Sequence, residues 1–164
     1  MVRHAIAEDR MVWAQSGKPD GERPLTDSGL LKMKKAAEGL SIILEPPECI
    51  LTSPLRRAYQ TAECLKEVFP LARFVSEEKL ASGASTVREL LEVFLEHGRR
   101  YSRVVAVFHE PECSLVSAAL VDSENRESFQ FKKGAAACFD EVGSAAVLRW
   151  YLPPKVLRNL SPKR

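Results

Sequence analysis

Two stretches of this chain repeat one grammar, and that grammar limits the fold more than anything else in the sequence. "ECILTSPLRRAYQTAECL" and "RVVAVFHEPECSLVSAALV" each run from a short apolar block, through a turn carrying a proline, into an apolar helix pattern. An unbroken apolar block bounded by turn residues reads as a strand buried on both faces. Proline fits the first helical turn, where a missing N–H costs nothing, so Pro54 and Pro111 mark helix starts and Ser53 stands ready as a cap. Strands alternating with helices predict an α/β fold, a three-layer α/β/α sandwich around a mostly parallel sheet.

The rest of the chain fits around these units. "PLTDSGLLKMKKAAEGL" sets Leu30, Met33, Ala37 and Leu40 at helical spacing, with Thr26 or Asp27 as the cap. Leu55, Tyr59, Ala62 and Leu65 form the expected apolar face of the helix after Pro54. "ARFVSE" (72–77) reads as a further strand, and "TVRELLEVFLEHG" opens on the capping-box pattern Thr86-x-x-Glu89 and stops at Gly98. The tail "SFQFKKGAAACFDEVGSAAVLRWYL" reads as a hairpin or meander that adds antiparallel strands at one edge. Nothing resembling a linker or a repeat divides the sequence, so residues 1–164 are expected to form one domain.

Composition narrows the chemistry. A net charge of +2 with no dense Lys/Arg run argues against nucleic acid as a partner. No apolar run approaches bilayer length and the start lacks signal-peptide character, which predicts a cytoplasmic protein without membrane contact. Cys49, Cys64, Cys113 and Cys138 lie far apart with no CxxC pair, so free thiols are expected. His4, His97 and His109 show no metal-ligand spacing, and neither a metal nor an organic cofactor is expected.

Ligands of open parallel sheets collect beyond the carboxyl ends of the strands. Three of the predicted strand ends carry reactive or cationic groups: Arg3-His4 in "MVRHAIAED", Arg56-Arg57, and His109. Guanidinium forks match phosphate oxygens, a neutral imidazole can attack phosphorus, and a second, protonated histidine can stabilise equatorial charge. That set suits phosphoryl transfer. The ordinary alternatives are a frayed terminus for Arg3-His4, a solvent-facing position for Arg56, a helix-end role for His97 and a loop anchor for Trp13.

Four motifs in order, "VRHAIAE", "RPLTDSG", "LTSPLRRAYQTAE" and "HEPECS", resemble the histidine phosphatase superfamily. The closing "FKKGAAACF…LRWYLPPKVL" is most similar to its SixA-type phosphohistidine phosphatase branch. The resemblance implies a phosphoglycerate mutase-like fold and a phosphatase acting through a phospho-His4 intermediate, without metal or cofactor. It implies Arg3 and Arg57 as phosphate-binding arginines, His109 as the second catalytic histidine and Arg23 as a further phosphate contact. The implied partner is a phosphorylated substrate, a phosphohistidine-bearing protein first and a small phosphate ester second; a phosphate-binding module with lost catalysis is the rival from another class. The proton donor stays open among Glu8, Glu77, Glu78 or none, and the oligomeric state is not legible. Two departures stand out. The first strand offers only Met1-Val2 before the Arg-His pair, and Phe108 replaces the usual glycine, where its ring is expected to narrow the entrance or displace His109.

Overall fold

A computed structural model describes residues 1–123, 129–142 and 145–162, excluding the side chains at 142 and 145. One six-stranded sheet carries the fold, in the order β3 (Arg73–Ser76), β2 (Cys49–Thr52), β4 (Val104–Phe108), β1 (Val2–Arg3), β5 (Ala136–Val142), β6 (Ala145–Leu152). The first four strands are parallel, and β5 and β6 add on antiparallel beside β1. The mostly parallel sheet with an antiparallel edge is therefore as expected from the sequence. Ser128, where the predicted tail hairpin begins, and residues 143–144 lie outside the described residues.

Alternation along the strands sends side chains to two cores. Val2, Ile50, Val105 and Val107 pack with Met33, Ala37 and Leu40 of α2 (Asp27–Ile43), Ala62 and Leu65 of α3 (Arg56–Val68) and Leu157 of α6 (Pro154–Leu160). On the other face, Leu51, Ala106 and Phe108 pack with Leu90 and Val93 of α4 (Val87–Gly98) and with Cys113 and Val116 of α5 (Glu112–Leu120). Three layers result, with a five-residue helix, α1 (Arg10–Ala14), set at the rim.

Local signals explain the helix boundaries. Thr26 caps α2 by accepting the Gly29 N–H at 2.9 Å, and the Thr86/Glu89 capping box of α4 is formed in both directions. Gly29 also lets the loop after His4 approach, because a Cβ there would stand 2.0 Å from the Ile6 carbonyl oxygen. Helix α3 departs from expectation at its start. It begins at Arg56 with Leu55 in the cap position and no side-chain cap, while Ser53 Oγ accepts the Leu55 N–H at 3.2 Å in the turn before it. Its buried face is also rotated: Tyr59 is 39% exposed, whereas Arg57, Ala58, Thr61 and Ala62 are buried.

Strand β1 pairs with β4 over two residues and with β5 at Val2 alone, and both neighbours run on past it. An apolar cavity of about 460 Å³ opens there, beside Met1, with Leu40, Phe94, Val105 and Phe139 among its walls. It lies at the amino end of the parallel strands, opposite the ends that carry the polar cluster.

Candidate active site

The carboxyl ends of β1, β2 and β4 bring Arg3, His4, Arg57 and His109 together. His4 leaves β1 with its N–H bonded to the Phe108 carbonyl at 2.9 Å, and the Ala5 N–H donates to Thr61 Oγ1 at 3.0 Å. Gly134, at φ +81°, directs its N–H to the Arg3 and His4 carbonyls at 3.1 Å. Such a φ favours glycine, which has no Cβ to clash. The backbone around His4 is thus fixed from three elements.

Both histidines are buried, at 6% exposure for His4 and 2% for His109, and their ring centroids lie 5.1 Å apart. His4 Nδ1 donates to the Ala5 carbonyl at 2.8 Å, which places the neutral ring's proton on Nδ1 and leaves the Nε2 lone pair free. Burial, aided by the charges of Arg57, Arg3 and Lys133, outweighs the Ala5 hydrogen bond and lowers the His4 pKa to about 3. His109 is also lowered to about 3, first by burial and then by His4 and Arg57. The expected protonated second histidine is therefore corrected for the free protein. Burial among cations makes both rings neutral.

Ser53 Oγ lies 2.8 Å from His109 Nε2. The hydroxyl accepts the Leu55 N–H and has its own proton to offer Nε2; in that pairing neutral His109 carries its proton on Nδ1, and in the reverse pairing on Nε2. His109 Nδ1, Arg3 Nε and Arg57 Nε are buried and make no hydrogen bond within the described protein. Leaving such groups without partners is costly, and an anion that accepts from them offsets the cost.

Arg57 is 4% exposed and directs Nη1 to the carboxylate (3.2 Å) and the carbonyl (3.1 Å) of Asp20, in the turn Asp20–Glu22. Arg56 beside it is exposed. Arg23 joins the cluster through the same carboxylate: Nε donates to Asp20 Oδ1 at 2.8 Å and Nη1 to the Glu8 carbonyl at 2.9 Å. Partial burial works to raise the Asp20 carboxyl pKa, but the Arg23 hydrogen bond and the Arg57 charge hold it below the usual range. Arg3 donates from Nη1 to the Phe131 carbonyl, and Glu110 fixes that segment by accepting the Phe131 N–H at 2.7 Å while bonding Ser114.

Asp20, Ser53, Thr61 and Glu110 were not singled out as site residues from the sequence. Thr61 had a usable signal, lying one helical turn beyond Arg57 on one face, where its hydroxyl donates to the Arg57 carbonyl at 2.7 Å. Among the described residues, the carboxylates of Glu8, Glu77 and Glu78 make no hydrogen bond or ion pair to the cluster; Glu77 accepts the Lys79 N–H at 3.2 Å. Trp13 Nε1 bonds the Pro19 carbonyl at 3.1 Å, as a loop anchor would. His97 is buried at the end of α4, stacked on Tyr101.

Phe108 overturns the expectation attached to it. Its ring is fully buried on the α4 face, 5.8 Å from the Phe94 ring, because adjacent strand residues alternate and Val107 takes the opposite core. Only its carbonyl reaches the cluster, holding the His4 N–H.

Residues 1–83 match the family model of the histidine phosphatase superfamily (branch 1). An uncharacterized protein of Picosynechococcus sp. is 33% identical over 136 residues, covering 80% of this chain and 77% of its own. The protein histidine phosphatase SixA, complexed with tungstate, superimposes with a TM-score of 0.78 at 24% identity, over 94% of this chain and 96% of that one. The alpha-ribazole phosphatase of Shigella flexneri does so with a TM-score of 0.73 at 16% identity, over 93% and 95%. The sheet and its helices are those of the phosphoglycerate mutase-like fold.

Proposed function

The chain belongs to the histidine phosphatase superfamily, and on that premise we propose that it removes the phosphoryl group of phosphohistidine on a protein through a phospho-His4 intermediate. One observation carries the reading. Two buried neutral histidines 5.1 Å apart are accompanied by three buried nitrogens, Arg3 Nε, Arg57 Nε and His109 Nδ1, that make no hydrogen bond within the described protein. A phosphoryl group supplies the acceptors those nitrogens lack.

Chemistry follows from the tautomers. The His4 Nε2 lone pair attacks phosphorus in line, a P–N bond forms on His4, and the P–N bond to the substrate imidazole breaks. The leaving imidazole takes its proton from solvent, so this substrate needs no strong side-chain acid. Water then attacks phosphorus, the P–Nε2 bond breaks, and inorganic phosphate and neutral His4 return. Arg3 and Arg57 balance the equatorial oxygens, and His109 Nδ1–H donates to one of them. Arg23 reinforces the arginine set through Asp20. With guanidinium charge in these places the reading needs no metal, and among the described residues no trio of His, Cys, Asp or Glu is grouped for one.

All four cysteines are unpaired, which supports a reducing, cytoplasmic setting. No described helix is long and apolar enough to cross a membrane. A small phosphate ester is the second reading, favoured by the fold shared with the alpha-ribazole phosphatase. The rival of a module with lost catalysis rests on Phe108 and the clipped first strand; the Phe108 ring is in the core, and β1 spans two residues.

Rapid quenching with phosphorylated substrate tests the nucleophile. An acid-labile, base-stable phosphoprotein is expected, with trapping and turnover both lost in His4→Ala. Near-parental turnover in that variant would overturn the assignment.

A further inference from the structure

Helix α1 is unusual for a surface helix in having no buried residue, and it holds Met11 (75% exposed) and Val12 (62%) outward. Exposed apolar side chains scattered singly need no explanation. These two are adjacent, and the helix that carries them is pinned. Asp9 caps it by accepting the Met11 and Val12 N–H groups at 2.9 and 3.0 Å, and Trp13 Nε1 ties its end to the Pro19 carbonyl. Arg10 lies 3.7 Å from Asp20, the carboxylate that holds Arg57. The apolar knuckle is therefore fixed one ion pair away from the phosphate-binding arginine.

Exposed charge at the rim of the site is mostly positive. Arg10 and Lys18 flank the knuckle, Arg56 precedes Arg57, and Lys132 and Lys133 lead into the Gly134 turn that holds His4; all five side chains are exposed. Of the nearby acids, Asp9 is engaged as the cap and Asp20 by arginines, leaving the half-buried Glu8 and the exposed Glu22 against these five cations. A free phosphate ester has no use for two outward apolar side chains beside its cradle. A protein with an apolar patch and acidic groups next to its phosphorylated residue does: the knuckle takes the patch, and the cations steer the encounter.

We propose that Met11 and Val12 form the docking contact for the phosphohistidine-bearing protein, bound through an apolar patch rimmed by acidic side chains. The proposal rests on the phosphohistidine reading above and adds the element that distinguishes a protein substrate from the bare phosphoamino acid.

The test compares the wild type with the Met11→Ser/Val12→Ser double variant on three substrates: a histidine-phosphotransfer domain phosphorylated with phosphoramidate, free phosphohistidine, and an aryl phosphate. Both changes are on the surface, and a thermal melt checks that the fold is unchanged. The variant is expected to lose about tenfold or more in kcat/KM on the phosphodomain, mainly through KM, with the two small substrates within about twofold of wild type. Met11→Leu is expected to retain the wild-type rate, and salt is expected to slow the phosphodomain reaction more than the free phosphohistidine reaction. Equal effects on all three substrates, or unchanged phosphodomain kinetics, overturn the docking role alone. A knuckle that instead pairs two copies of this chain, seen as a wild-type dimer that the variant abolishes, also overturns it. A wild type that turns over aryl phosphate but neither phosphohistidine substrate overturns the substrate reading, and the docking proposal with it.

Discussion

Acid should unfold this protein earlier than its carboxylates alone would require. His4 and His109 have folded pKa values of about 3, against an ordinary value of 6.5. A histidine depressed in this way binds fewer protons when folded, so stability is fully present above pH ~6.5 and is lost as pH falls towards ~3. At pH 5 one such histidine costs about 2 kcal/mol relative to neutral pH. The two rings each lower the other, so the pair costs between about 2 and 4 kcal/mol, not a simple sum. Urea melts at pH 7.5, 6 and 5 measure the loss, and the His4→Gln/His109→Gln variant is expected to escape that part of it. NMR titration of the wild-type imidazoles gives an independent check, with both rings expected to stay neutral well below pH 5. Parallel stability curves for wild type and variant, together with either ring titrating near 6.5, would refute the reasoning.

The adjacent arginines should separate cleanly. Arg57→Ala is expected to cost on the order of 100-fold in kcat/KM on an aryl phosphate, and Arg56→Ala less than about threefold, since only Arg57 is buried in the cluster; equal losses would mean that the cradle is misassigned. Phe108→Gly is expected to destabilise by roughly 3–5 kcal/mol through the cavity left against Phe94 and Leu51, without a gain in turnover. A faster and equally stable variant in denaturant melts would contradict the placement of the ring.

The parts of the fold that were legible share one cause, which is that local signals and tertiary burial agree there. The apolar block Cys49–Thr52 is buried at all four positions, and the Thr86 capping box forms where the pattern stands in the sequence. Arg3, His4 and His109 could be placed because strand ends collect function in parallel sheets. What was missed depends on direction, which spacing alone does not give. Ser53 was read as a cap because serine before proline usually caps, but its hydroxyl faces His109 across the sheet end. Phe108 was read by its neighbour in sequence, while strand alternation sends its ring to the far side. Asp20 is three residues from Arg23, yet its importance comes from Arg57, 37 residues away.

The arginines have two effects that reinforce each other in the proposed reaction. In the free protein, burial and the charges of Arg3 and Arg57 keep protons off His4, so the nucleophile has its lone pair at every physiological pH. A phosphoryl dianion settling between them reverses that field, because its negative charge opposes the arginines at both rings. His4 gains nothing from a proton at that moment, since its Nδ1 is already committed to the Ala5 carbonyl and its Nε2 faces phosphorus. His109 does gain. Its Nδ1–H hydrogen bond strengthens as charge builds on the oxygens, and the Ser53 hydroxyl at Nε2 can turn from donor to acceptor if the ring takes a second proton. The two histidines thus start alike and are separated by their partners, a backbone carbonyl in one case and a hydroxyl able to reverse its role in the other.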